Sequence, residues 1–181
     1  MQSLARGAAF LENGAPNRDS THVINGSEPA EKSKPDKCMS IRIETIEQLS
    51  AMIPNTALEP LGVDVIDADE DHLTLRLQIT DKTLQPLGLL HGGISMLLAE
   101  SAASMHACWG IDISKMVPVG IEVSGSHIRS ASDGSVLAKA TLVRKSLSLA
   151  VHTVEIASEQ TGRVLCVARI TNFYKQRNQP A

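Results

Sequence analysis

Leu90-His91-Gly92-Gly93-Ile94-Ser95-Met96-Leu97-Leu98-Ala99-Glu100-Ser101-Ala102-Ala103-Ser104-Met105-His106-Ala107-Cys108-Trp109-Gly110-Ile111 is the longest helix-forming stretch of the chain. Leu90, Ile94, Leu97, Leu98, Met105 and Trp109 form an apolar stripe, and Ala99, Ala102 and Ala103 fill much of the rest. A helix apolar on nearly every side belongs in a core. The segments around it read as strands. Upstream, Leu73, Leu75, Leu77 and Ile79 alternate with Thr74, Arg76, Gln78 and Thr80, the period-2 pattern of a half-buried antiparallel strand. Residues 61–67 form an earlier strand, joined to it by a turn at Asp69, Glu70 and Asp71. Downstream, strands are expected at 117–128, 135–145, 149–158 and 163–174. Their separators, Ser132-Asp133-Gly134, Ser146-Leu147-Ser148 and Glu159-Gln160-Thr161-Gly162, read as hairpin breaks. Ile43, Ile46, Leu49, Met52 and Ile53 recur at helical spacing before Pro54. The fold class is therefore α+β, with about six strands curling around one long helix.

Composition narrows the function. The chain has 181 residues, 43% hydrophobic and 20% charged, with a net charge of -3. No basic excess points to nucleic acid or an anionic membrane surface. Only 2% of residues are aromatic, which nearly excludes base-stacking platforms. No apolar run approaches the roughly 18 residues of a membrane span. Cys38, Cys108 and Cys166 are odd in number and widely spaced, so neither a disulfide framework nor a zinc site is expected, and a cytoplasmic location is. Residues 1–40 carry few large apolar side chains and read as a disordered extension ahead of a single domain over 41–176.

Glu100 is the one acid of the long helix, and no Lys or Arg shares that helix. A lone helix glutamate usually faces solvent. An exposed face, however, would carry further charges, and this one offers only small and weakly polar residues. Ser104 lies one turn beyond Glu100, where its hydroxyl and the carboxylate can hold a water between them. Gly92 and Gly93 stand where the first amides of a helix lack intrahelical partners, beside a partial charge of about +0.5 that suits a developing oxyanion. Gln85 offers a second donor. Other chemistries fail on spacing: His91 and Glu100 are about 900° of helix rotation apart, so they cannot chelate one metal. There is no HExxH, nucleophile elbow, dinucleotide fingerprint or P-loop. Neither metal nor cofactor is expected.

The run Gln85-Pro86-Leu87-Gly88-Leu89-Leu90-His91-Gly92-Gly93, followed by Ala99-Glu100-Ser101, resembles the hotdog-fold acyl-CoA thioesterases, in particular the 1,4-dihydroxy-2-naphthoyl-CoA and 4-hydroxybenzoyl-CoA branch. Val119-Gly120-Ile121-Glu122-Val123 and His127-Ile128-Arg129-Ser130-Ala131 agree, and the resemblance spans about 43–174. It implies a hotdog fold: a long central helix wrapped by a six-stranded antiparallel sheet. It implies acyl-CoA as substrate and a homodimer or homotetramer with active sites at the subunit interface. By that resemblance Glu100 is the catalytic carboxylate, as nucleophile or general base. The Gly92 amide polarises the thioester carbonyl, Gln85 assists, His91 shapes the site and Ser104 helps to place water. Gly93, His127, Arg129 and Ser130 fall at the substrate or CoA site. Arg144 and Lys145 are further phosphate candidates, on charge alone. Leu87 departs from the Phe common in related sequences, a change expected to alter the acyl pocket. Two rivals stand beside this reading: a hotdog protein that binds acyl-CoA without cleaving it, and a hotdog hydratase or dehydratase.

Overall fold

The computed structural model describes residues 40–177, so the extension expected over 1–40 lies almost wholly outside the described residues. The elements run α1 (Ile46–Ser50), β1 (Asp64–Ala68), β2 (His72–Gln78), α2 (Gly92–Ala107), β3 (Met116–His127), β4 (Ser135–Lys145), β5 (Leu149–Ser158) and β6 (Val164–Gln176). The six strands form one antiparallel sheet in the order β1-β2-β4-β5-β6-β3. Helix α2 packs against β2, β3, β4, β5 and β6, so the sheet wraps it as expected.

The period-2 reading of β2 holds for its leucines: Leu73, Leu75 and Leu77 are buried, although Thr74 on the other face is buried as well. Each leucine contributes roughly 2 kcal/mol of burial. The deepest face of α2 takes only part of the apolar stripe, Leu98 and Met105. Ala99, Ala102 and Ala103 are fully buried, whereas Leu90, Ile94, Leu97 and Trp109 pack at the margin. Small side chains let the helix axis approach a curled sheet that leucines would hold away.

Two expectations need correction. The helix read over 43–53 shrinks to Ile46–Ser50. Thr45 and Gln48 close a capping box at its start. Ile43 is held extended, because its carbonyl accepts from the Gly110 amide and it bridges Trp109 beyond α2. The break Ser132-Asp133-Gly134 is not a hairpin. It ends a crossover that carries the chain from β3, at one sheet edge, to β4, between β2 and β5. Gly134 takes a left-handed φ of 78° there, and its carbonyl accepts from the Ile79 amide.

β3 is an edge strand with a bulge between Gly120 and Glu122. Val119, Ile121 and Val123 are exposed along it. A long apolar edge invites pairing with another strand.

Two imidazoles interrupt the apolar core. His106 Nε2 lies 3.1 Å from the Asp69 carbonyl, so it carries the proton there. His106 Nδ1 then accepts from His152 Nε2 at 2.8 Å. His152 is fully buried, and its Nδ1 has no partner. Burial, aided by the charges of His106 and Lys145, pushes His152 from about 6.5 down to about 3. Burial also lowers His106. Between those two pH values the unfolded chain binds a proton at His152 that the folded chain refuses, so stability falls as pH drops below about 6.5. Urea unfolding between pH 7 and 4.5 is expected to lose up to about 1.4 kcal/mol per pH unit from this group. His152→Leu should flatten that slope, and an unchanged slope in the variant would remove the pair as its origin.

Candidate active site

The start of α2 is organised by His91. His91 is the N-cap, and its Nδ1 accepts from the Gly93 amide at 2.8 Å. The Ile94 and Ser95 amides donate to the His91 carbonyl. Of the first four amides, only Gly92 N–H has no protein partner among the described residues. It opens onto a cleft of about 430 Å³ lined by Gln85, Gly92, Ser95, His127, Arg129 and Leu165. The His127 ring lies over Gly92: a Cβ there would sit 2.9 Å from His127 Nε2. Gln85 Oε1 accepts from the Leu87 amide, which ties the loop and leaves Gln85 Nε2 as the free donor. Arg129, Ser130, Ala131 and Leu165 continue from this cleft into a second of about 600 Å³, where Arg163 adds another cation.

Glu100 lies further along the same ridge of α2. Gly92, Met96, Glu100 and Ser104 follow at i+4 steps and run beside β3 in the opposite sense. Glycines on β3 make the close approach possible. A Cβ at Gly125 would meet Met96 sulfur at 2.8 Å, and one at Gly120 would meet Glu100 Oε1 at 2.9 Å. Glu100 is half-buried and has no hydrogen bond or ion pair among the described residues. Ser104 Oγ donates to Asn172 Oδ1 at 3.0 Å. An apolar cleft of about 410 Å³ opens beside this end, lined by Leu97, Ser101, Ser104, Met105, Val117 and Pro118. Among the described residues its walls hold no aromatic side chain. Cys108 also borders it, but burial pushes that thiol up to about 11, which leaves it inert as a nucleophile.

The residues singled out by sequence thus fall into three places. Gln85, His91, Gly92, Gly93, His127, Arg129 and Ser130 gather at the start of α2. Glu100 and Ser104 form a second group, with Glu100 about 12 Å up the helix from Gly92. Arg144 and Lys145 join neither. Lys145 Nζ donates to the Trp109 carbonyl past the far end of α2, and Arg144 is exposed beside it. Leu87 is 84% exposed and lines none of these clefts. Sequence reading missed Arg163, whose signal was a cation directly after the Gly162 turn. It also passed over Gly120 and Gly125 as space for α2, and Asn172, a polar residue on the apolar face of β6.

The thioesterase superfamily family model matches residues 87–172. The chain is 33% identical to the 1,4-dihydroxy-2-naphthoyl-CoA hydrolase of Listeria monocytogenes, over 67% of this chain and 97% of that protein. It is 33% identical to the enzyme of the same name from Escherichia coli, over 70% and 92%. Among solved structures, a mutant thioesterase of Pseudomonas aeruginosa superposes with a TM-score of 0.71 at 31% identity, covering 76% of this chain and 99% of that one. A Haemophilus influenzae thioesterase gives 0.68 at 28% identity, covering 76% and 94%.

Proposed function

This chain belongs to the thioesterase superfamily and is a thioester hydrolase, and on that premise we propose that it cleaves an acyl-CoA thioester, an aryl or hydroxyaryl group such as 1,4-dihydroxy-2-naphthoyl being the favoured acyl part. The observation that carries this reading is the unpaired Gly92 amide, at a helix N-terminus in a cleft that continues to Arg129 and Arg163. A helix-start N–H suits an oxygen that gains charge as the carbonyl becomes tetrahedral. The two arginines suit the phosphates of CoA, with the pantetheine arm lying between. The relatives that carry the hydroxynaphthoyl-CoA name favour the aryl group. The apolar cleft at Ser101 and Ser104 offers it an aliphatic wall and two hydroxyls.

One chain does not complete the site. An attacking group and an oxyanion donor must both lie about 3 Å from one carbonyl, and about 12 Å separates Glu100 from Gly92 along α2. Pairing β3 with β3 of a second copy about a two-fold axis would run the two ridges antiparallel, with Gly92 facing Glu100 of the partner subunit. The carbonyl oxygen then accepts from Gly92 N–H and Gln85 Nε2. Acting as a base, the partner's Glu100 takes a proton from water as the water oxygen bonds to the carbonyl carbon. The C–S bond breaks, and the proton passes to the departing CoA thiolate. Acting as a nucleophile, the carboxylate oxygen bonds to the carbonyl carbon as the C–S bond breaks and CoA thiolate leaves; water then opens the mixed anhydride to the free acid and the regenerated carboxylate, and its proton passes to the thiolate.

Thiol release from a panel of naphthoyl-, benzoyl-, phenylacetyl- and medium-chain acyl-CoA esters tests the reading. Turnover is expected to be fastest on the aryl esters. Tight CoA binding with no thiol released on any ester would favour a non-cleaving binder. Mixing Glu100→Gln chains with Gln85→Ala chains tests the shared site. A hybrid dimer then holds one intact site, and activity should return to roughly a quarter of wild type at equal mixing. No recovery from a mixture verified to contain hybrids would place each site within one chain.

A further inference from the structure

We propose that Asn172 is a positioning residue that holds the Ser104 hydroxyl and the Glu100 carboxylate in fixed relation to one another. The inference rests on the reading of Glu100 as base or nucleophile. Alternate residues of β6 face α2: Cys166, Ala168, Ile170, Asn172 and Tyr174, all buried. Two of the five are polar. Tyr174 satisfies its hydroxyl on the Ala107 carbonyl at 2.9 Å. Asn172, fully buried, satisfies only half of its amide. Oδ1 accepts from Ser104, and Nδ2 has no partner. A buried amide with both N–H groups unused is costly, and a packing role alone is met more cheaply by an aliphatic side chain.

The surroundings supply a use. Asn172 pairs across the sheet with Gly120. The space left by that missing side chain is bordered by Glu100 Oε1, 2.9 Å from the Cβ position, and by Asn172 Oδ1 at 3.9 Å. An unpartnered carboxylate and a half-used amide therefore meet at one glycine. Turning the amide about its Cβ–Cγ bond exchanges its oxygen and nitrogen within the same space. One N–H then reaches Ser104 Oγ, and the other points towards the Glu100 side of Gly120. Ser104, now an acceptor, is free to donate its own proton to water. The amide thus orients both groups on which water activation depends, and it touches neither water nor substrate itself.

The test uses the full chain and the panel ester turned over fastest. Asn172→Leu is expected to lower kcat about 10- to 100-fold while KM stays within about 3-fold. Combined with Ser104→Ala, its effect should be well short of additive. Asn172→Asp puts a second carboxylate beside Glu100 and should move the acid limb of the kcat profile to higher pH by about one unit or more. A kcat for Asn172→Leu within twofold of wild type, or an acid limb left in place in Asn172→Asp, overturns the proposal. So does failure of both variants to give folded protein by circular dichroism and gel filtration, which would assign the side chain to packing alone. If Glu100→Gln keeps its turnover, the underlying reading of Glu100 has failed instead.

Discussion

Glu100→Gln is expected to lower kcat at least about 100-fold, the range for losing a general base, with KM changed far less. The amide keeps the volume and shape of the carboxylate, so the close contact at Gly120 survives. What it removes is the one acid of α2, the carboxylate that takes a proton from water or attacks carbon. Cys108 cannot substitute, because its thiol stays protonated at neutral pH. Thiol release under saturating acyl-CoA reads the loss directly. Near wild-type turnover would remove Glu100 from the chemistry. A single turnover of wild type in ¹⁸O-water adds the role: label recovered in the Glu100 side chain marks a mixed anhydride opened at the enzyme carbonyl.

Gly92→Pro should cost about 10²- to 10³-fold in kcat/KM, the effect of deleting one oxyanion donor. The substitution is unusually clean. Gly92 is the first residue of α2, the helix position that best accepts proline, because its N–H has no helical partner in any case. His91 precedes it in an extended conformation, with ψ at 128°, which a following proline favours. Proline also brings a Cβ that presses on His127. Gly92→Ala brings the same Cβ and keeps the N–H, so the ratio of the two variants isolates the hydrogen bond. Equal activity in both would show that the Gly92 amide stabilises nothing in the reaction, whatever the ring of His127 does.

How much of this was legible in the chain follows the range of each signal. Alternation over Leu73, Leu75 and Leu77 and the charge-poor surroundings of Glu100 are local patterns, and both survive in the fold. Strand partnership is not local. Ser132-Asp133-Gly134 has the chemistry of a hairpin turn and does turn the chain, but into a crossover, because β3 pairs with β6 far along the sequence. The meeting of Glu100, Gly120, Ser104 and Asn172 was hidden for the same reason. It joins three elements, and no spacing along one of them reveals it. Lys145 shows the same limit: a cation at a strand end looked available for phosphate, and in the fold its Nζ donates to the Trp109 carbonyl past the far end of α2.

The bulge at Ile121 has a consequence for how the sequence can vary. Before it, Pro118 and Gly120 pair with Tyr174 and Asn172; after it, Val123, Gly125 and His127 pair with Ile170, Ala168 and Cys166. The extra residue switches which alternate positions meet the helix. Ile121 itself is 59% exposed in the single chain. Deleting it would leave Gly125 and His127 opposite Ala168 and Cys166 in an unbroken alternation, whereas forcing the present chain into unbroken alternation would turn both to the other face. The bulge thus absorbs one residue at the sheet edge without moving the side chains that meet the helix.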